Sequence, residues 1–228
     1  MVLKRWEDLP DFMKNDAVRP YYETLKKRRA AIFTKRVFDI IVSGLMILIL
    51  SPVFLILVIR IKTDDPGPAF FRQVRITRYG REFRIFKFRT MVVNADKIGA
   101  QVTSENDPRV THVGVKLRKY RIDELPQLFN VFKGDMSFVG TRPEVPRYVR
   151  EYSEEMMATL LMPAGVTSDA SIMYKDESEL IGNADDPDKV YIEKVLPEKM
   201  KYNLNALEDF SLGREFELLF RTLAAVRK

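Results

Sequence analysis

Arg118-Lys119-Tyr120-Arg121-Ile122-Asp123-Glu124-Leu125-Pro126-Gln127-Leu128-Phe129-Asn130-Val131-Phe132-Lys133-Gly134-Asp135-Met136-Ser137-Phe138-Val139-Gly140-Thr141-Arg142-Pro143-Glu144 is the stretch around which the chain is organised. Adjacent carboxylates, Asp123 and Glu124, follow the basic residues Arg118, Lys119 and Arg121. Residues 125–132 read as a short apolar helix that stops before Gly134. Asp135, Arg142 and Glu144 form a second charged group beyond it. Taken alone, Asp123 reads as an N-cap, with Pro126 in the first helical turn. The same geometry attracts phosphate, because a helix start offers free N–H groups and a positive dipole end. Two neighbouring carboxylates repel each other unless a cation lies between them, which invites Mg²⁺. Arg118 and Arg142 carry planar forks suited to phosphate oxygens.

Upstream, residues 37–61 are almost wholly apolar, long enough for a membrane helix and without a polar face. Three features argue against a simple crossing. Ser51-Pro52 interrupts the middle, where proline removes a backbone hydrogen bond and favours a kink. Basic residues flank both ends (Lys26 to Arg29, Lys35 and Arg36; then Arg60 and Lys62), which places both ends on the cytoplasmic side. Asp39 shortens the apolar length. The expectation is a re-entrant helix that dips into one leaflet and turns back at Ser51 and Pro52; a spanning helix is the alternative. The segment lies too far from the N-terminus for an ordinary signal peptide.

After the turn cluster Asp64-Asp65-Pro66-Gly67-Pro68 comes a hairpin, residues 69–76 and 83–88, with Arg78-Tyr79-Gly80-Arg81 at the turn. Its alternation leaves Arg84, Lys87 and Arg89 to face an anion. Residues 91–98 read as helix and 99–111 as loop. His112 is read as a structural histidine. Residues 144–161 read as a charged amphipathic helix, 162–167 as a turn, 168–174 as a short strand or loop, and the acidic segment 176–188 as a solvated loop. Two or three helices fill 189–228, broken at Pro197 and Gly213. On the last, Phe216, Leu219, Phe220, Leu223 and Val226 share one face, which packs on the domain or lies in a membrane interface.

The 228 residues suffice for one core with appendages. With no cysteine and one histidine, thiol chemistry and a His-rich zinc site are excluded, leaving a hard cation on oxygen ligands. A net charge of +6 suits an anionic partner: nucleic acid, an anionic membrane surface or a phosphorylated substrate. The fold class is α+β, mostly helical. Residues 1–34 form an N-terminal extension, 35–62 the re-entrant helix, and 63–228 a cytosolic helical catalytic domain with a short β-hairpin and interfacial amphipathic helices.

The ordered motifs Lys35-Arg36-Val37-Phe38-Asp39, Ser51-Pro52, Phe86-Lys87-Phe88-Arg89-Thr90-Met91, Asp123 to Val131, Lys133 to Gly140 and Thr141-Arg142-Pro143-Glu144 resemble those of the bacterial sugar transferases, the monotopic polyprenyl-phosphate phosphoglycosyl transferases. The resemblance covers about residues 35–166. It implies transfer of a sugar 1-phosphate from a UDP-sugar to a membrane polyprenyl phosphate such as undecaprenyl phosphate, with release of UMP, at the cytoplasmic face of a bacterial inner membrane. It implies Asp123 as nucleophile, Glu124 as ligand of Mg²⁺ (with Mn²⁺ able to substitute), and Arg118, Arg142, Lys87 and Arg89 as phosphate-binding residues. Asp135 and Glu144 are support residues; Asp135 either orients the arginine clamp or only caps the turn after Gly134. The implied partners are the two substrates and membrane lipid, with a homo-oligomer left open.

The chain departs from the family pattern in two places. Gly140-Thr141-Arg142-Pro143 replaces Gly-Pro-Arg-Pro, which puts the stiffness of that loop in question. Residues 163–171 differ from the usual Pro-Gly-Ile-Thr segment, which bears on nucleotide-sugar specificity. The competing reading is a catalytically silent, membrane-anchored basic binding protein. It gives no reason for Asp123 and Glu124 beside arginines, and no nucleic-acid module is recognisable, so nucleic acid is not an expected partner.

Overall fold

The computed structural model describes residues 2–95, 107–174 and 186–226. Two 3-10 turns (Trp6–Asp8 and Asp11–Met13) lead into helix α1, Arg19–Lys27, with Pro20 in its first turn. Helix α2, Arg29–Asp64, follows almost at once. The hairpin is β1, Phe70–Ile76, and β2, Glu82–Phe88, paired antiparallel with Phe70 opposite Phe88 and Ile76 opposite Glu82. Then come α3, His112–Lys119; α4, Gln127–Lys133; and β3, Met136–Val139. Strand β4, Ala164–Thr167, pairs parallel with β3. Helix α5, Asp169–Met173, is followed by helical turns at Pro187–Val190 and a π turn at Tyr191–Val195. These run into α6, Leu196–Glu208, and α7, Leu212–Val226.

The 36 residues of α2 give a length of about 54 Å at 1.5 Å per residue. Among the described residues it is the one helix long and apolar enough to cross a membrane. It begins at Arg29, earlier than the expected 35, and stays helical through Pro52 instead of dividing there. Pro52 cannot donate to the Leu48 carbonyl one turn back. The Ser51 hydroxyl donates to that same carbonyl at 2.8 Å, so the serine supplies the donor the proline lacks.

One face of α2 docks on the domain. Phe54 and Ile61 are buried with Phe88, Leu117 and Leu128, and Phe54 meets the rings of Phe88 and Phe129 at 5.8 and 5.7 Å. The other face leaves Ile40, Ile41, Leu45, Leu48, Ile49, Leu55, Ile56 and Ile59 exposed. Both ends are tied to the same domain. Arg36 donates to the carbonyls of Val131 and Phe132 at 2.6 and 2.8 Å, and Asp64 accepts from the Val113 amide at 2.8 Å.

The N-terminal extension belongs to the main core. Leu9, Met13, Val18, Tyr22 and Leu25 are buried with Leu160, Leu161, Leu196, Met200 and Phe210 from the other end of the chain. Several expected elements differ. Residues 144–161 are not one helix: a single turn at Pro146–Val149 and a 3-10 segment at Met156–Leu161 are separated by non-helical backbone. Ala158, Leu160 and Leu161 are all buried, a run too continuous for an amphipathic helix. The expected turn at 162–167 contains β4, and the expected strand or loop at 168–174 contains α5, capped by the Ser168 side chain accepting from the Ser171 amide. Met91 forms a bridge with Val110 instead of opening a helix; most of the expected helix and loop at 91–106, and of the acidic segment 176–188, lies outside the described residues. On α7, Leu218 is buried while Phe220 and Leu223 face outward.

Candidate active site

Asp123 and Glu124 occupy a 3-10 turn, Ile122–Glu124, entered through Arg121 in the left-handed region (φ 54°). Asp123 is therefore not the helix cap: the residue before α4 is Pro126, and no side chain caps it. The turn packs on α3 and β2 and leads through Leu125 and Pro126 into α4, which Gly134 (φ 94°) ends. A Cβ at Gly134 would come within 3.0 Å of the Arg36 guanidinium, so glycine here serves both the left-handed turn and the docking of α2.

The two carboxylates have opposite surroundings. Glu124 accepts from Lys87 at 2.8 Å and from Arg142 at 2.5 Å through one oxygen, and its other oxygen is 3.4 Å from Arg142. Burial alone would push its carboxyl upward; the Arg142 and Lys87 charges reverse that and hold it well below the usual carboxylate range. Asp123 makes no side-chain hydrogen bond to another residue and no ion pair among the described residues. Burial, with the neighbouring Glu124 charge, pushes its carboxyl up against the pull of Lys87 and Arg118. Arg118 is fixed by donating through Nε to the Thr90 hydroxyl at 2.9 Å. The cleft thus holds three cations and two carboxylates, leaving one positive charge over.

Lys87 reaches Glu124 because β2 is clamped from its free edge. The Asn130 carboxamide, buried in α4, accepts from the Phe86 amide at 2.9 Å and donates to the Arg84 carbonyl at 3.0 Å. A side chain thereby stands in for a third strand. Arg142 comes from the loop after β3, described further below.

Other expected site residues lie elsewhere. Arg89 is buried, with its guanidinium on the backbone and carboxylate of Asp65. It secures the turn after α2 and, among the described residues, makes no ion pair with the dyad. Asp135 pairs with Arg81 at 2.8 Å and Lys133 at 3.7 Å; it ties the hairpin turn to the end of α4. Ser51 and Pro52 lie mid-helix on α2 and away from the dyad turn in sequence and element. Glu144 is buried and held by Tyr191 at 2.5 Å.

Asn130, Tyr191, Lys199 and Arg75 escaped sequence reasoning as site supports. An asparagine inside an apolar helical motif was the available signal for Asn130; nothing local singles out the other three.

Paired carboxylates flanked by cations thus stand beside helix α4, which packs on the long apolar helix α2. The family model of the bacterial sugar transferases matches residues 30–228. The chain belongs to that family. It is 36% identical over 197 residues to a UDP-N-acetylgalactosamine-undecaprenyl-phosphate N-acetylgalactosaminephosphotransferase of Aeromonas hydrophila, covering 85% of this chain and 44% of that protein. It is 42% identical over 134 residues to a putative undecaprenyl-phosphate N-acetylgalactosaminyl 1-phosphate transferase of Bacillus subtilis, covering 58% of this chain and 75% of that protein. An undecaprenyl-phosphate galactose phosphotransferase of Salmonella typhimurium is 38% identical over 155 residues, 61% of this chain and 32% of that protein. The chain spans less than half the length of the Aeromonas relative.

Proposed function

We propose that this chain transfers a sugar 1-phosphate from a UDP-sugar to a polyprenyl phosphate, undecaprenyl phosphate in the first instance, and releases UMP. The observation that carries the reading is the asymmetry of the dyad: Glu124 is held ionised by Lys87 and Arg142 while the Asp123 carboxylate beside it makes no hydrogen bond to another residue and no ion pair among the described residues. A carboxylate is a weak nucleophile that needs no base, and its barrier lies in the charge on the phosphoryl oxygens. Asp123 Oδ attacks the phosphorus nearer the sugar; the bond from that phosphorus to the UMP oxygen breaks, and UMP leaves. A phosphate oxygen of the polyprenyl phosphate then attacks the same phosphorus, and the Asp123 carboxylate is released. Arg118, Arg142 and Lys87 neutralise the phosphoryl oxygens in both steps.

Among the described residues no group of three or more acidic or histidine side chains is arranged for a metal. Two hard carboxylates do fit Mg²⁺, which characteristically binds through one or two carboxylates with substrate phosphates and water. Glu124 would hold it, its second oxygen having only a 3.4 Å contact to Arg142, and Mn²⁺ suits the same donor. When bound, the ion supplies further charge against the phosphates.

The exposed strip of α2, from Ile40 to Ile59, supports association with lipid. Docking of Arg36 and Asp64 on one domain supports a helix that enters and leaves the same membrane face, the re-entrant arrangement, at the cytoplasmic side of a bacterial inner membrane. Outward-facing Phe220 and Leu223 suit α7 to the interface. The test is UMP release from a panel of UDP-sugars with undecaprenyl phosphate and Mg²⁺. Release that depends on both substrates is expected; no release with any sugar, or full activity in Asp123→Asn, would overturn the reading.

A further inference from the structure

The loop 140–144 carries Arg142 to Glu124, and it is fastened on both sides. On the near side, the Gly140 amide donates to the Thr167 carbonyl at 3.0 Å, and the Thr141 carbonyl accepts from the Gly165 amide at 2.8 Å. The close approach requires glycine: a Cβ on Gly165 would fall 2.2 Å from the Gly140 backbone. These bonds supply the rigidity that a proline at position 141 would have given.

On the far side, the Glu144 carbonyl accepts from the Ile76 amide at 2.9 Å, and the Pro143 carbonyl from Arg75 at 3.1 Å. The Glu144 side chain then enters a polar network. The Tyr191 hydroxyl donates to it at 2.5 Å, Lys199 donates to that hydroxyl at 3.1 Å and lies 3.7 Å from the carboxylate, and Arg75 is 4.0 Å away. Tyr191 is itself gripped: Tyr148 packs on its ring at 4.6 Å, and the Lys199 ammonium lies over the ring at 5.0 Å. All this polar structure is buried; Glu144, Tyr191 and Lys199 are each less than one-tenth exposed. It also departs from regular helix, because Tyr191 opens the π turn before α6, and such turns are rare and re-aim side chains.

A buried, charged network is a poor source of stability compared with apolar packing. What it provides is a fixed position for Glu144, and Glu144 lies two residues from Arg142. We propose that Tyr191 and Lys199 are positioning residues for Arg142: acting through Glu144, they set the loop so that the guanidinium stands at Glu124 and at the substrate phosphates. The C-terminal helices thereby take part in the reaction without touching substrate. The inference rests on the role given to Arg142 in the proposed function.

The experiment is a double-mutant cycle on the full chain in lipid nanodiscs, with UMP release followed from radiolabelled UDP-sugar. Tyr191→Phe keeps the ring packing and removes only the hydroxyl. It is expected to lower UMP release about tenfold in the wild-type background and to have almost no effect in Arg142→Ala, because the residue it positions is gone. Lys199→Met, run through the same cycle, should show the same coupling and serves if Tyr191→Phe folds poorly. Equal fold-losses in both backgrounds would overturn the proposal, since that is what a general structural role gives. Absence of UMP release from the unmutated chain with every sugar would instead count against the proposed function, so the two failures are distinguishable.

Discussion

Glu124 and Glu144 make an instructive pair. Each is a largely buried carboxylate flanked by two cations, Lys87 and Arg142 in one case, Arg75 and Lys199 in the other. Around Glu144 the third partner is the Tyr191 hydroxyl. Around Glu124 the next group is Asp123, whose side chain makes no hydrogen bond to another residue and no ion pair among the described residues, with the Arg118 charge beyond it. The residue types are nearly the same. What separates a reactive cluster from a supporting one is whether the set has been completed by the protein or left for a ligand to complete.

The comparison breaks most sharply at Asp123. Asp123→Asn should abolish UMP release, by about 10³-fold or more as expected for loss of a nucleophile, yet leave thermal unfolding almost unchanged, because the side chain holds nothing in place. A large fall in melting temperature would place Asp123 with the supporting residues instead. Glu124→Gln should cost both: activity down about 10²-fold, and stability lowered by about 2 kcal/mol because Lys87 and Arg142 lose their buried counter-charge. Denaturant unfolding beside the activity assay reads both.

Asn130→Ala probes the clamp on β2. Two partly buried backbone groups, the Phe86 amide and the Arg84 carbonyl, lose their partner, at a cost of about 1 kcal/mol, and Lys87 loses its registration on Glu124, so UMP release should fall about tenfold. Unchanged activity would show that Lys87 does not depend on the clamp.

The pH behaviour of the dyad follows from its opposed shifts. Asp123 is raised from 3.8, by burial first, so the acid limb of the single-turnover rate should lie above that value; a limb at or below it contradicts the environment described. Glu124 is lowered from 4.5 in the folded state. Its stabilisation is therefore complete above that unfolded value and is lost as pH falls toward the folded one. Glu124→Gln should consequently flatten the acid side of the stability profile below about pH 4.5. The smallest effect belongs to Arg81→Ala. Arg81 is itself half-exposed, and Lys133 stays within 3.7 Å of Asp135, so stability should change by less than about 1 kcal/mol.

What could be read in the sequence was local. The hairpin registers within a residue of expectation because its alternation and its turn signal agree. The helix after the dyad ends at Gly134 as its sequence dictates. The pairing of Arg89 with Asp65 was not legible, for an equally local reason. Two residues from Lys87, it would share that side of a continuing strand, but β2 ends at Phe88 and the chain turns toward Asp65. The β3–β4 pair was not legible, because two four-residue strands far apart in the chain carry almost no periodic signal and gain their partners only through tertiary contact. Tyr191 and Lys199 were invisible likewise: a buried charge partner is a property of the assembled core. Asp123 itself looked like a cap until the turn around Arg121 showed that it leads no helix.

The fastening of α2 at Arg36 and at Asp64 makes the helix and the dyad parts of one gauge. Whatever surface takes up the strip from Ile40 to Ile59 is held at a constant height from Asp123, since neither end of the helix can lift without breaking a bond to the domain that carries the dyad. Depth, like charge, is then written into the fold. On the proposed function, a lipid-borne phosphate presented at that level would meet the carboxylate without a search in the third dimension.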